Sequence, residues 1–295
     1  SLSTKNAPDV THCDAKGEED SNIPQAPLEG LTIIDLSMGW AGPLATRNLA
    51  DMGATVIKVE SCTRFDWFRS WEASQEWIDN NGAEKEVRFI GLNRNKLDVT
   101  LDFESKAGRD LLLRLIENAD AVIENYSGGV LPKLKLDYPV LKVVNPQLVM
   151  VSMPAFGATG PWAKFRAYGS TVEQSAGLPH LQGSEQQPPT MLHVAFGDAI
   201  AGLYGSAALL TALFHKSKTG RGQFVDLSQV ECLLPHAVHG VVHQSVYNQP
   251  PKRQGNYHPD YFIHAVFACA GEEQWLLLQV KTREQWAVSY THLRA

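Results

Sequence analysis

One carboxylate in this sequence stands where it could do chemistry, at the start of a long apolar segment. Asp198 lies between Gly197 and Ala199, so little side-chain bulk would keep an acyl group away from its oxygens. Carboxylates do serve as covalent nucleophiles. The alternative is that Asp198 only caps a helix, because Asp is among the favoured N-cap residues. Taken alone, the local residues favour the cap.

Two other groups of residues could bind a metal or a nucleotide, and neither has the pattern required. His236, His239 and His243 share one face of a predicted helix, but no acidic or cysteine partner accompanies them, so we predict no metal site. The turn Gly39–Pro43 is rich in glycine, yet it matches neither GxGxxG nor GxxxxGK[ST]. The sequence therefore gives no reason to expect NAD or ATP.

The segment that follows Asp198 must position it. Residues Ala199 to Phe214 carry no charge and are rich in Ala and Leu, which predicts a helix. Gly220 is placed to end that helix. An uncharged run of this length is too short for a membrane span, which needs ~20 residues. We therefore predict a core helix.

Short apolar segments alternate with helical ones along the chain. The segments typical of strands are LTIIDLS, TVIKVE, LDVTLDF, AVIEN, LVMVSMPAF and GQFVDLS. This alternation predicts an α/β fold, with a Rossmann-like and mostly parallel sheet covered by helices on both faces. Ligands of such sheets bind beyond the carboxyl ends of the strands. Here those ends are Ser37–Gly42, Glu60, Asn125–Gly129 and Phe156–Gly160.

The composition is that of an ordinary soluble protein, with 44% hydrophobic and 20% charged residues. The net charge of −6 and the lack of a basic stretch argue against nucleic acid as a partner. Four widely spaced cysteines argue against a disulfide framework and a zinc site. Because no signal peptide is visible either, we predict a cytoplasmic protein that does not associate with membranes.

Composition also suggests domain boundaries. Residues 1–26 are polar and aperiodic, which is typical of a disordered tail or linker. Residues 27–228 are predicted to form the large Rossmann-like domain, and 229–260 a linker helix and connection. From residue 261 to 287 the pattern predicts a hairpin that begins a smaller α+β domain.

Six motifs, taken in order, carry a resemblance to a known family. They are PLEGLTIIDLSMGWAGPLATRNLADMGATVIKVE, GLNRNKLDVTLDF, IENYSGGVLPKL, NPQLVMVSMPAFGATGPW, FGDAIAG and KTGRGQFVDLS. Their order and spacing resemble the family III CoA-transferases, the group that contains formyl-CoA and carnitine CoA-transferases, from about Pro27 to Trp286. The resemblance implies that family's fold and an enzyme that moves CoA from an acyl-CoA to a free carboxylic acid.

The resemblance also implies a mechanism and a set of site residues. In this family an Asp attacks the thioester, and the reaction proceeds through aspartyl anhydride and aspartyl-CoA intermediates. Asp198 matches that nucleophile, which outweighs the capping interpretation, although it could do both. The implied CoA-binding residues are Trp40, Ala41, Leu92, Asn93, Lys96, Asn125, Tyr126, Lys133, Arg166 and Tyr168. No permanently bound cofactor is implied, CoA thioester being a substrate, and the implied assembly is a homodimer of interlocked rings.

Some positions depart from the family pattern. Ser61 and Lys133 stand where relatives often carry Arg, and Arg64 is a candidate substitute for the first of these. Gly169 stands where an acidic residue is common, so we expect a different acceptor pocket. The glycine-rich loop that shields the intermediate in some members is not evident near Arg253–Asn256.

Two alternative functions stay open at this point. α-Methylacyl-CoA racemases share the fold and pair the Asp with a His about thirty residues earlier. Residue 168 is Tyr, whose ordinary pKa of ~10 makes it a poor base at neutral pH, and this favours the transferase. The other alternative is a non-catalytic CoA-binding subunit of a heteromer, against which the intact Asp198 argues.

The end of the chain is predicted to leave the family pattern. Trp286 matches a QW pair that begins a helix of the small domain in relatives. Residues 288–295 instead resemble translated adaptor sequence. We therefore interpret them as a non-native tail, and the chain as a C-terminally truncated fragment.

Overall fold

A six-stranded parallel sheet forms the centre of the structure, a computed structural model that describes residues 26–70, 74–193 and 195–293. All but the last residue of the predicted tail 1–26 lies outside the described residues. The strands are β1 (Thr32–Asp35), β2 (Thr55–Glu60), β3 (Lys96–Thr100), β4 (Ala121–Glu124), β5 (Val149–Ser152) and β6 (Phe224–Asp226). Every neighbouring pair is parallel, which confirms the predicted Rossmann-like sheet.

The strand order creates a crevice at one edge of the sheet. The order is β3-β2-β1-β4-β5-β6, so the chain runs outward from β1 to β3 and then returns to pair β4 with β1. Asp35, the last residue of β1, lies beside Ile123 of β4. Because the connections leave these two strands in opposite directions, their carboxyl ends open a cleft where ligands of such sheets bind.

Helices cover both faces of the sheet. They are α1 (Ala41–Asp51), α2 (Gln75–Asp79), α3 (Gly82–Lys85), α4 (Val87–Asn93), α5 (Lys106–Glu117), α6 (Val130–Leu134), α7 (Tyr138–Val144), α8 (Gly169–Ser175), α9 (Phe196–Thr219), α10 (Gln229–Tyr247) and α11 (Arg283–Leu293). On one face, α1 and α9 pack over Ile33 and Val151. On the other, α5 and α7 pack over Ile34 and Val122. Alternate strand residues thus enter two cores, which explains the uninterrupted apolar runs.

Helix α9 begins earlier and ends later than the predicted range 199–214. Its N-cap is Ala195, and Asp198 is the third helical residue, with no side-chain cap hydrogen bond at this end. The prediction that Asp198 occupies the N-cap position is therefore wrong. Gly220 ends the helix with φ 66°, in the left-handed region that glycine tolerates, as predicted.

Close packing, rather than propensity alone, explains the small residues of α9. A Cβ on Gly202 would lie 2.8 Å from the carbonyl oxygen of Ala41 at the start of α1, and one on Gly205 would lie 2.8 Å from the sulfur of Met153. Length and composition alone would let α9 cross a membrane. Its contacts with α1, α8, α10 and the sheet instead confirm the predicted core helix.

The predicted hairpin is confirmed beyond α10. Strands β7 (Ile263–Ala268) and β8 (Trp275–Val280) pair antiparallel in register, and the chain turns at Gly271, where φ is 106°. Helix α11 then continues across the boundary predicted between residues 287 and 288. The proposed division into domains, including the non-native tail 288–295, stays a prediction.

Candidate active site

The turn between β1 and α1 is clamped by side chains from two distant segments. The N–H of Met38 donates to Asn125 Oδ1 at 2.9 Å, and Asn125 Nδ2 donates to the Met38 carbonyl at 2.8 Å. The N–H of Gly39 donates to both carboxylate oxygens of Asp66, at 3.1 and 3.0 Å. Asn125 follows β4, so this clamp ties together the two strand ends that form the crevice.

A buried charge network lies beneath this turn. Lys96 Nζ is 2.9 Å from Asp35 Oδ2, and Lys58 Nζ is 3.2 Å from Asp66 Oδ2. Burial alone would raise the pKa of Asp35, but the nearby Lys96 and Lys58 ammonium groups lower it below its ordinary value. Burial lowers the pKa of Lys96 to about 8 despite the attraction of Asp35. Because each charge has an opposite partner, the network can support the turn without leaving a buried ion uncompensated.

Lys96 is implied by the resemblance to bind CoA, but its ammonium group is engaged within the protein. Its Nζ donates to Asp35 Oδ2, the Pro43 carbonyl and Asn93 Oδ1 at 2.9, 2.9 and 2.8 Å. An ammonium group has three donors, so all are engaged, and the side chain is only 2% exposed. Asn93 in turn donates to the Phe89 carbonyl. Both residues therefore hold the start of α1 in position instead of meeting the ligand directly.

Asp198 lies where two helices begin. Its Oδ2 accepts the N–H of Gly169, the first residue of α8, at 3.1 Å, while the residue itself belongs to the first turn of α9. Helix N-termini carry partial positive charge that favours a carboxylate. Burial nevertheless raises the pKa of Asp198 to about 6, and the Gly169 bond offsets only part of this effect. The group is thus mostly ionised at neutral pH and poorly hydrated, as a nucleophile should be.

Gly169 is required by the closeness of these two helices. A Cβ at this position would lie 2.3 Å from Asp198 Oδ2 and 3.0 Å from the Asp198 nitrogen. A Cβ on Gly197 would likewise lie 2.4 Å from the Gly169 carbonyl. The departure from the family pattern at position 169 therefore places a bare backbone N–H, without a side chain, against the carboxylate.

Two cavities meet at Asp198, and a third adjoins one of them. One is an aromatic cleft of about 860 Å³, and the second is a middle cavity of about 360 Å³. Both are lined by Trp40, Trp67, Tyr168 and Asp198. The middle cavity continues past Met38 and Tyr126 into a third, of about 310 Å³, over the ends of β2 and β3. A groove thus runs from the strand ends to the carboxylate and opens beyond it into the aromatic cleft.

The predicted CoA-binding residues do not all line the same cavity. Those lining the middle cavity are Trp40, Asn125, Tyr126, Arg166 and Tyr168. Leu92 lines the aromatic cleft. Ala41 is completely buried at the first position of α1 and can offer only its backbone. Lys133 is exposed on α6. Arg64 borders the third cavity, and its guanidinium pairs with Glu104 at 2.5 Å.

Several residues of the site were missed from the sequence. Trp67 lines two cavities, and its only signal was a cluster of tryptophans between residues 61 and 86. Arg47 lines the aromatic cleft, and although it lies within the first of the six motifs, the resemblance implied no role for it. Glu124 is buried at the end of β4, where burial raises its pKa to about 7, and it accepts hydrogen bonds from the Ser152 hydroxyl and the Tyr126 N–H. The segment AVIEN indicates that Glu124 lies at the end of a strand, but it does not show which groups donate hydrogen bonds to its carboxylate.

Comparison with known proteins identifies the family. The model of CoA-transferase family III matches residues 28–294. The chain belongs to CoA-transferase family III. It is 34% identical to the succinate–glutarate CoA-transferase of Agrobacterium fabrum over 86% of this chain and 63% of that protein. It is 38% identical to an acyl-CoA transferase of Fusarium pseudograminearum over 71% of this chain and 46% of that protein. It thus spans about half to two thirds of the length of these relatives.

A solved structure of the family agrees with the observed fold. A CAIB/BAIF family protein from Brucella suis superposes with a TM-score of 0.80 and 33% sequence identity, over 91% of this chain and 70% of that one. The predicted family III fold is therefore confirmed.

Proposed function

We propose that this family III chain carries the nucleophile and the CoA-binding groove of an enzyme that transfers CoA from an acyl-CoA to a free carboxylic acid. The observation that carries the proposal is the position of Asp198. Its carboxylate is half-buried, is held by one backbone N–H, and lies where the groove along the strand ends meets a separate cleft. A thioester reaching Asp198 along the groove would have room for its acyl group beyond it.

The first half of the reaction begins with attack of an Asp198 oxygen on the thioester carbonyl carbon. A carbon–oxygen bond forms, the carbon–sulfur bond breaks, and CoA leaves as a thiolate, so that Asp198 carries a mixed anhydride. The thiolate then attacks the aspartyl carbonyl, which releases the donor acid as its carboxylate. This leaves an aspartyl-CoA thioester, and no net proton is gained or lost.

The second half repeats these steps in reverse order with the acceptor acid. The acceptor carboxylate attacks the aspartyl-CoA carbonyl, CoA thiolate leaves, and a new anhydride forms. Attack of the thiolate on the acyl carbon of that anhydride yields the new acyl-CoA and restores Asp198. Each intermediate is open to hydrolysis, so exclusion of water by the surrounding rings would matter to the yield.

CoA itself is proposed to lie along the groove. The middle cavity offers Arg166 and the Asn125-Tyr126 backbone, and the third cavity offers a route over the strand ends. Lys133 and Arg166 are the proposed contacts to the CoA phosphates, because the Lys96 ammonium is already engaged within the protein. A homodimer, a cytoplasmic location, no permanently bound cofactor, and no membrane or nucleic-acid partner belong to the same proposal.

Trapping the acyl-enzyme tests this proposal. The protein is incubated with an acyl-CoA and then with hydroxylamine, and the peptide containing Asp198 is examined by mass spectrometry. We expect a hydroxamate on Asp198, and we expect Asp198→Asn, assayed promptly to exclude deamidation, to lose transfer by at least ~10³-fold. Unmodified Asp198 in a protein that still transfers CoA would overturn the assignment. Exchange of the substrate α-proton in D₂O without transfer would instead favour a racemase that uses His193 of the same cleft.

A further inference from the structure

The aromatic cleft beside Asp198 has a positively charged wall that the proposed transfer steps do not use. The described residues lining it include two guanidinium groups, Arg47 and Arg88, but Asp198 is the one carboxylate among them. Arg88 is exposed and pairs with Glu86 at 3.0 Å. Arg47 is different, because its side chain is only 21% exposed.

Arg47 makes no hydrogen bond to a carboxylate among the described residues. Its Nη1 donates to the Gly91 carbonyl and its Nη2 to Asn48 Oδ1, both at 3.2 Å. Both of these acceptors are neutral. Its Nε is buried without an acceptor, and the Asp51 carboxylate lies 4.0 Å away, beyond hydrogen-bonding distance.

Asp51 is committed to other partners. Its oxygens accept Arg94 Nε and Nη2 at 3.0 and 2.5 Å, and Asn95 Nδ2 at 2.8 Å. This bidentate arrangement is the stronger kind of ion pair. The Arg47 charge is therefore only distantly compensated, and it faces a cavity. A partly desolvated cation in that position favours an anionic ligand.

We propose that Arg47 binds the second carboxylate of a dicarboxylic acyl group, while the first carboxyl carbon reacts at Asp198. The proposal rests on the proposed transferase function. Trp40 is the N-cap residue of α1 and Arg47 lies seven residues later in the chain, roughly 10 Å along the helix axis, and a flexible arginine side chain shortens that span. Methylenes between the two carboxyl groups would lie against the aromatic rings of the cleft, and the free carboxylate would offer Arg47 the charged acceptor it lacks. Arg47 is then a specificity-determining residue for acids with a terminal negative charge.

Matched substrates test this inference. Succinyl-CoA and glutaryl-CoA are compared with butyryl-CoA and valeryl-CoA, which have the same chain lengths but no second carboxylate. The rate of hydroxylamine-trapped acylation of Asp198 gives kcat/KM for each. We expect the unmodified protein to prefer the dicarboxylic thioesters, and Arg47→Met to lower their kcat/KM roughly ten- to hundredfold. The monocarboxylic thioesters should change by less than about threefold.

Two further variants and the choice of substrates distinguish a failure of the Arg47 proposal from a failure of the transferase proposal. Arg47→Lys keeps the charge and should retain part of the preference, while Arg114→Met removes one exposed charge from α5 and should change nothing. Equal acylation by both substrate classes in the unmodified protein would overturn the role of Arg47 even if no variant folds. Acylation of Asp198 by none of the four thioesters would overturn the transferase proposal, and this inference with it.

Discussion

At the scale of single residues, Asp198 shows a conflict between stability and chemistry. Its ordinary pKa is 3.8, and burial raises it to about 6 in the folded protein. As pH rises between these values, the unfolded chain releases its proton while the folded chain retains it, so stability falls across that window and stays reduced above it. We therefore expect Asp198→Asn to be more stable than the unmodified protein near pH 7, by up to about 3 kcal/mol.

The pH dependence of that gain is the check. Thermal melting of both proteins near pH 7 and again below about pH 3, where the carboxyl is mostly protonated in both states, should show the gain only at neutral pH. Transfer by the unmodified protein should fall as pH drops through about 6, because the proposed nucleophile, Asp198, becomes protonated. An Asn variant that is less stable near pH 7 would mean that the carboxylate is better solvated than its burial indicates.

Residue types and motif order predict Asp198 as the nucleophile, but they do not describe its surroundings. Lys96 illustrates the difference. Its motif places it correctly at the start of β3, yet its partner Asp35 is 61 residues away in sequence, so no local pattern could show that the ammonium is buried and fully engaged. Arg47 was missed for the same reason, because the pairing of Asp51 with Arg94, 43 residues away in sequence, is visible only in the structure.

At the scale of elements, the approach of α8 to α9 determines whether the site can form. Gly169→Ala would place a Cβ 2.3 Å from Asp198 Oδ2, so one helix must move or the carboxylate must turn. We expect a destabilisation of about 1–3 kcal/mol and a loss of Asp198 acylation of at least ~10²-fold. Urea unfolding and hydroxylamine trapping measure the two effects.

Ser170→Ala is the matched control for that substitution. It removes a side chain at the next position of α8 without adding an atom against Asp198, and it should leave acylation within about threefold. If Gly169→Ala were as active as Ser170→Ala, the contact between α8 and Asp198 would not be important for the reaction.

The elements themselves were largely predictable, and the errors lie at their ends. The predicted strand TVIKVE is β2 with the same bounds, because its β-branched residues are typical of strands. The start of α9 was misplaced by three residues, since Phe196 and Gly197 carry no capping signal and Ala195 is an unusual N-cap. Tertiary contact with α8, which the sequence does not show, fixes that end instead.

At the scale of the whole molecule, the sheet and the hairpin differ in how they are stabilised. The strands β1, β4 and β5 lie between two helical layers, and nearly all of their side chains are buried. The hairpin β7–β8 leaves large apolar side chains in contact with solvent, among them Trp275 at 63% and Leu277 at 57% exposure. A two-stranded hairpin is at best marginally stable in water without a packed face.

Hydrogen exchange should therefore divide the chain into two classes of stability. We expect the amides of β4 and β5 to exchange only through global unfolding, and those of β7, β8 and α11 through local opening that is at least ~10²-fold more frequent. Exchange measured by mass spectrometry on the native protein, with α9 as the protected control, gives both rates in one experiment. Protection of the hairpin equal to that of β4 would show that its apolar face is covered in solution, either by another copy of the chain or by contacts absent from this structure.

If CoA binds along the groove, adding it should slow exchange at the β1–α1 turn and leave the hairpin unchanged, because the groove is lined by the turn and not by the hairpin.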